Sequence, residues 1–236
     1  MYQEQRLNAI IAELSVNGEL SVVKAMKKFN VSRDTIRRDF TILSEKKLAK
    51  RTHGGLISIK SSSDILSFNE RLIEMSEEKI NIAKQAKKLI RNNGIYFFDV
   101  STIVLALGQI LNPEMKITIY SHALDLAILM SDKPNIEFHL LGGKFYSKNR
   151  FFFSLNEIEL LKNVNFDAGF FGAAGLRDGE VSFDDEKDVF VKKIAMKQSC
   201  QKILLAQTGK INLKAKYTLS RLESFDQIID EKNGES

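Results

Sequence analysis

The chain has 236 residues, enough for one large domain or for a small domain joined to a medium one, and the placement of its charge favours two domains. With 44% hydrophobic and 28% charged residues, no apolar run long enough to span a bilayer and no secretory pattern in residues 1–6, it reads as a globular protein of the cytoplasm with no membrane contact. Cys200 is the only cysteine, which excludes an intramolecular disulfide and a cysteine-rich zinc cluster; at an expected helix end, it reads as a packing residue.

The net charge is +5, yet residues 1–60 hold 12 Lys/Arg against 6 Asp/Glu, or +6, whereas residues 61–236 hold 23 against 24, or −1. A basic excess confined to the first quarter suits a polyanionic partner that sheds counterions on binding.

Leu7, Ile10, Ile11 and Leu14 form one stripe over residues 2–17, and Asn17-Gly18 supplies a helix stop. Ser21 caps a second helix in which Val22, Ala25, Met26 and Phe29 recur at helical spacing. After the turn at Asn30-Val31, Ser32 caps a third helix over residues 32–43, whose inner face is Ile36, Phe40 and Leu43. Its outer face carries Asp34, Arg38 and Thr41, with Thr35 and Arg37 on the shoulders and Arg33 in the first turn, where a major-groove helix meets base edges. Helix, short turn, helix is the order of a helix-turn-helix. Residues 49–59 then read as a β-hairpin wing: Lys50 and Arg51 near the phosphate backbone, a tight Gly54-Gly55 turn, and His53 either touching DNA or packing the turn.

Ser61-Ser62-Ser63-Asp64 has no periodicity and is the expected linker, so the domains read as 1–60 and 68–236 joined by 61–67. Residues 68–91 should be mostly helical. Beyond them, apolar runs at 95–99, 116–120, 136–141, 168–171, 202–206 and 227–229 alternate with helical segments at 102–111, 124–130, 156–162 and 188–200. That alternation is the pattern of a largely parallel α/β sheet.

In such a sheet ligands collect at the carboxyl ends of strands, where helix N-termini aim N–H groups at an anion. The strand ends here are Asp99 with Ser101 and Thr102, Ser121-His122, Gly142-Gly143, Gly172 with Gly175, and Lys210. Ser101 and Thr102 are equally good helix starters without a ligand, and the glycines are equally good simple turns. Phe151-Phe152-Phe153 reads as core or subunit contact, and His122 and His139 as structural. The three histidines lack metal-ligand spacing, so no metal or cofactor is expected.

Residues 31–39, Val-Ser-Arg-Asp-Thr-Ile-Arg-Arg-Asp, followed by Arg51-Thr52-His53-Gly54-Gly55, resemble the helix-turn-helix and wing signature of the deoxyribose-operon-repressor (DeoR) family of bacterial transcriptional regulators. Glu70-Arg71 and Glu78-Lys79-Ile80-Asn81-Ile82-Ala83 resemble the start of that family's sensor domain, whose fold is similar to ribose-phosphate isomerases. The resemblance implies a homo-oligomer, dimer or tetramer, that binds double-stranded operator DNA and loosens its grip when a phosphorylated sugar occupies the C-terminal domain. The chain departs from the family pattern at its ligand-facing motifs. Asp-x-Gly-Thr-Thr is Asp99-Val100-Ser101-Thr102-Ile103, Thr-Asn is Ser121-His122, Gly-Ala-Asp-Gly is Gly172-Ala173-Ala174-Gly175, and Asp-Ser-Ser-Lys is Gln207-Thr208-Gly209-Lys210. The main expectation is a non-enzymatic regulator, with two other readings beside it: a sensor domain that has changed or lost its effector and mainly oligomerises, and an isomerase-like enzyme using Asp99 or Glu186 as base.

Overall fold

The computed structural model describes residues 3–17, 19–46, 48–57 and 76–232. The chain divides into two units between residues 64 and 65. The expected linker, Gly18, Glu70-Arg71, the second wing strand beyond Ile57 and the expected helix before residue 76 lie outside the described residues.

In the N-terminal unit, α1 (Gln3–Asn17), α2 (Val22–Phe29) and α3 (Arg33–Glu45) close around Ile10, Leu14, Ala25, Phe29, Ile36, Phe40 and Leu43, the faces that helical spacing assigned to the interior. Both caps form as residue type predicts: the Ser21 hydroxyl accepts from Lys24 N and the Ser32 hydroxyl from Thr35 N, each at 3.2 Å. The turn between α2 and α3 is made by Asn30 in the left-handed region (φ 51°), which returns its N–H to Met26 O. The wing is a three-stranded antiparallel sheet in the order β1 (Glu19–Ser21), β3 (Gly55–Ile57), β2 (Lys50–Arg51). Strand β1 was not foreseen, and it changes the reason for the glycine. A Cβ on Gly55 would lie 2.3 Å from Leu20 O, so glycine is needed for close strand approach and not for the turn.

The C-terminal unit is built on a six-stranded sheet in which every pairing is parallel. Its order is β14 (Gln227–Ile229), β12 (Ser199–Leu205), β9 (Phe166–Phe171), β4 (Ile95–Phe98), β5 (Ile117–Ser121), β6 (Ile136–Leu140). One face packs against α4 (Glu77–Lys87), α5 (Thr102–Ile110) and α6 (Leu124–Met130) through Ile82, Val104, Leu126, Phe98 and Phe170. The other packs against α7 (Leu155–Leu161) and α8 (Glu186–Gln198) through Phe97, Phe171, Ile158, Val189 and Leu204. Because both faces are covered, the central strands β4 and β9 are largely apolar, which is why they were legible as runs.

Two antiparallel additions were not foreseen: the hairpin β7 (Lys144–Tyr146) with β8 (Phe151–Phe153), and a small sheet ordered β10 (Gly175–Arg177), β11 (Glu180–Phe183), β13 (Tyr217–Arg221). Most of their strands are three or four residues long, too short for a periodicity. Helix α8 starts two residues earlier than expected because the Asp185 carboxylate caps it, accepting from Lys187 N and Asp188 N. It also passes into β12 without a loop. Cys200 is therefore an exposed strand residue, which corrects the expected helix-end packing role.

Candidate functional site

On the N-terminal unit, Arg33, Asp34, Arg37, Arg38 and Thr41 are exposed along α3 and Thr35 is half-buried, as the outer-face assignment requires. Ser32 is exposed, but its hydroxyl is committed to the cap and lies 2.9 Å from Thr35 Oγ1. Lys50, Arg51 and His53 are exposed on the wing. Arg51 also has an internal role that residue type did not disclose. Its Nη1 donates to Arg37 O at 3.0 Å, with Thr41 Oγ1 at 3.5 Å and the guanidinium 5.9 Å from the centre of the Phe40 ring, so wing and helix are held together. Asp39 lies on the inner side of α3. It is fully buried and takes Arg6 Nε on Oδ2 at 2.5 Å and Arg6 Nη2 on Oδ1 at 3.2 Å, tying α1 to α3 and raising the Arg6 pKa further above its usual range. Arg33, Arg37, Arg38 and Lys50 make no ion pair among the described residues, which leaves a cationic face supported by a rigid frame.

On the C-terminal unit, a small cleft of about 40 Å³ opens at the carboxyl ends of β4, β9 and β12. It is lined by Lys79, Ser101, Thr102, Ile103, Ala173, Leu205, Gln207 and Lys210: two lysines, two hydroxyls and no carboxylate. Ser101 caps α5, its hydroxyl accepting from Val104 N at 3.3 Å, so the first turn of that helix faces the cleft. Gly172 lies directly behind. A Cβ there would come within 2.5 Å of Ser101, so only glycine lets the end of β9 close on the helix start.

Asp99, expected to face the ligand, is instead fully buried. Its Oδ2 accepts from Gly172 N at 2.9 Å and lies 3.3 Å from Lys192 Nζ, while Oδ1 has no hydrogen-bond partner among the described residues. Lys192 in turn reaches Asp188 Oδ2 at 2.5 Å and sits 3.7 Å from the centre of the Phe183 ring. The other Asp188 oxygen lies 2.8 Å from His122 Nε2; that imidazole is also buried, between Phe97 and Phe151. Burial pushes the Asp188 carboxyl up, but Lys192 and His122 outweigh it and hold it at about 2. Asp188 can therefore only accept, so His122 Nε2 is the donor, and its Nδ1 is left without a partner among the described residues.

The structure thus brings Ser101, Thr102 and Lys210 into one cleft, sets Asp99 and Gly172 behind it, and joins His122 to Asp99 through Asp188 and Lys192. Ser121 is buried with its hydroxyl accepting from Ala123 N, and it does not line the cleft. Gly142, Gly143 and Gly175 do not line it either. Gly143 has φ +118° at the start of β7, and Gly175 is packed against Leu213 O, where a Cβ would lie at 2.4 Å. Lys79, Gln207, Asp188 and Lys192 were not singled out as site residues. The sequence signals available were the Glu78-Lys79 dipeptide, the place of Gln207 in the ligand-facing stretch 207–210, and the i, i+4 spacing of Asp188 and Lys192. A larger, mainly apolar cleft of about 320 Å³, bordered by Leu176, Ile211, Leu222 and Ile228, shares Gln207 with the first.

No helix among the described residues is long and apolar enough to cross a membrane. Residues 6–62 match the DeoR-like helix-turn-helix domain, and residues 74–232 match the DeoR C terminal sensor domain. The chain is 34% identical over 232 residues to the HTH-type transcriptional repressor GlcR of Bacillus subtilis (strain 168), a match covering 98% of this chain and 90% of that protein. It is 27% identical over 229 residues to the glycerol-3-phosphate regulon repressor of Escherichia coli (strain K12), covering 97% and 90%. Among solved structures, ribose 5-phosphate isomerase A from Methanocaldococcus jannaschii is similar over 61% of this chain and 55% of that one, with 15% identity and a TM-score of 0.42. A helix-turn-helix with a free cationic face, a sensor domain on a parallel sheet, and a match to both domain types over nearly the whole length lead to one conclusion: the chain belongs to the DeoR family of DNA-binding transcriptional regulators.

Proposed function

We propose that this protein is a cytoplasmic repressor of a carbohydrate-utilisation operon, working as a homo-oligomer, and that a phosphorylated sugar in the C-terminal cleft releases it from operator DNA. The observation that carries the effector half is the lining of the cleft: two lysines and two hydroxyls at a helix start, with no carboxylate, suit a phosphate monoester dianion. The names of the two relatives, a repressor and a regulon repressor tied to glycerol 3-phosphate, support the same reading.

For the DNA half, Arg33, Thr35, Arg37 and Arg38 supply base and phosphate contacts and Lys50, Arg51 and His53 backbone contacts, with Ser32 setting the helix start. An enzymatic role finds little support. Asp99 is ion-paired and buried, and the Glu186 side chain is 67% exposed with Lys187 at 3.8 Å as its cation.

The test is thermal stabilisation of the full-length protein by glucose 6-phosphate, fructose 6-phosphate, ribose 5-phosphate and glycerol 3-phosphate, with inorganic phosphate and the unphosphorylated compounds as controls. A ligand that binds only the folded state stabilises by about 2.7 kcal/mol at a hundred times its Kd, a visible shift. A selective shift abolished by Lys210→Ala is the expected result. A flat response from well-folded protein overturns the effector reading and leaves the DNA-binding role standing.

A further inference from the structure

Arg51 stands where the wing meets α3. In the wing, Arg51 on β2 lies opposite Leu56 on β3, and Lys50 lies opposite Ile57. Successive residues of a strand point to opposite faces, so of these two neighbours Arg51 turns towards α3 and Lys50 away from it.

The guanidinium is only partly engaged inside the protein. Nη1 donates to the Arg37 carbonyl at 3.0 Å and approaches Thr41 Oγ1 at 3.5 Å. Nε and Nη2 make no hydrogen bond among the described residues, and the residue is exposed. Those two nitrogens form one edge of a planar fork, whose parallel N–H groups match two oxygens of a phosphate.

The carbonyl that Nη1 grips belongs to the turn of α3 carrying Arg37 and Arg38, and it also accepts from the Thr41 hydroxyl at 2.9 Å. The fully buried Phe40 ring, its centre 5.9 Å from the guanidinium, adds a cation–π contact that keeps Arg51 against the helix. The wing is held as well. Thr52 N donates to Gly55 O and Val22 N to Gly54 O, each at 3.0 Å, which closes the wing tip and ties it to α2.

We propose that Arg51 is a positioning residue for sequence reading: it holds a DNA phosphate on the free edge of its guanidinium and the backbone of α3 on the other. The phosphate thereby fixes where Arg37 and Arg38 enter the major groove. This rests on the operator-binding reading above. Phosphate contacts carry no sequence information directly, so Arg51 affects specificity through the helix it holds. A lysine in its place has the charge, but its donors radiate from one atom and cannot span two acceptors that the guanidinium holds from separate nitrogens. Lys50 makes no bond to α3 among the described residues and serves the phosphate alone.

The experiment uses full-length protein, a duplex it selects from a random pool and a scrambled duplex, with both affinities measured over 50–200 mM salt. The readouts are the salt slope and the ratio of the two affinities. Arg51→Lys should keep the wild-type slope while the ratio falls about fivefold or more, the loss of one base contact. Arg51→Ala should lose as much of the ratio and about 0.9 of the slope as well, whereas Lys50→Ala should lose that much slope at the wild-type ratio. A variant that is merely less stable has a smaller folded fraction, which lowers both affinities by the same factor and does not move the ratio. A wild-type ratio in Arg51→Lys overturns the positioning role, and a wild-type slope in Arg51→Ala overturns the phosphate contact. A ratio that falls as far in Lys50→Ala shows that any lost phosphate contact suffices, and overturns the part given to the Arg37 carbonyl. Wild-type protein that enriches no sequence from the pool overturns the operator reading and this role together.

Discussion

Asp99, Asp188, Lys192 and His122 show how single residues acquire roles that their types do not announce. One ammonium serves two carboxylates, so removing Lys192 would leave both buried carboxylates without their cation, which is far costlier than the intact cluster. Asp188 carries the measurable consequence. Its carboxyl is held at about 2 against an ordinary 3.8, so its stabilising contribution is complete above about pH 4 and is withdrawn as the pH falls towards 2. At about 1.36 kcal/mol per unit the contribution is roughly 2 kcal/mol. Urea unfolding of wild type and Asp188→Asn between pH 2 and pH 5 should give a stability difference that shrinks by about that amount as the pH falls. A pH-independent difference would show that the carboxylate gains nothing from its ionised state.

At the scale of elements, α3 is defined by its cap, its apolar face and its anchor to α1. The cap and the face follow from local rules, whereas the Arg6–Asp39 pair joins residues 33 apart in sequence. Asp39→Ala strands a buried guanidinium and should destabilise the N-terminal domain by about 3–5 kcal/mol. Urea titration monitored in that domain checks this, and a loss below about 1 kcal/mol would place the pair in effective contact with water. In the C-terminal unit the elements with a long apolar face or run were legible: the 124–130 helix and the 227–229 strand coincide with expectation, and other described boundaries moved by one to four residues. The hairpin at 144–153 and the 175–183 strands were not, because segments of three or four residues are stabilised by the partners they meet and not by their own pattern.

For the whole molecule, the division of labour seen in the charge is kept: the cationic face lies on the first unit, and the second carries an anion-sized cleft. The two kinds of basic residue on the DNA face should behave differently. Lys50→Ala should weaken binding across duplex sequences and reduce the salt slope by about 0.9, the value for one phosphate contact. Arg38→Ala should instead relax preference at one position by about 1–3 kcal/mol if its guanidinium reads guanine. Fluorescence anisotropy on the selected duplex and on scrambled duplexes, over 50–200 mM salt, separates the two. An unaltered slope in Lys50→Ala would remove the wing residue from the phosphate backbone.

The sequence by itself determined the helix-turn-helix, the parallel sheet and the strand ends at which a ligand would sit. These depend on caps, periodicities and apolar runs that act between residues close in the chain. Only the tertiary structure decided which of those strand ends share a cleft. Lys79, Ser101, Gln207 and Lys210 meet because the parallel order sets β12 beside β9 and β9 beside β4, with α4 packed across them. The same order turned Asp99 inward to Lys192 and left Gly143 and Gly175 to close packing elsewhere. Contacts of that range are set by which strands pair and on which face each helix packs, and no local pattern of one chain encodes that choice.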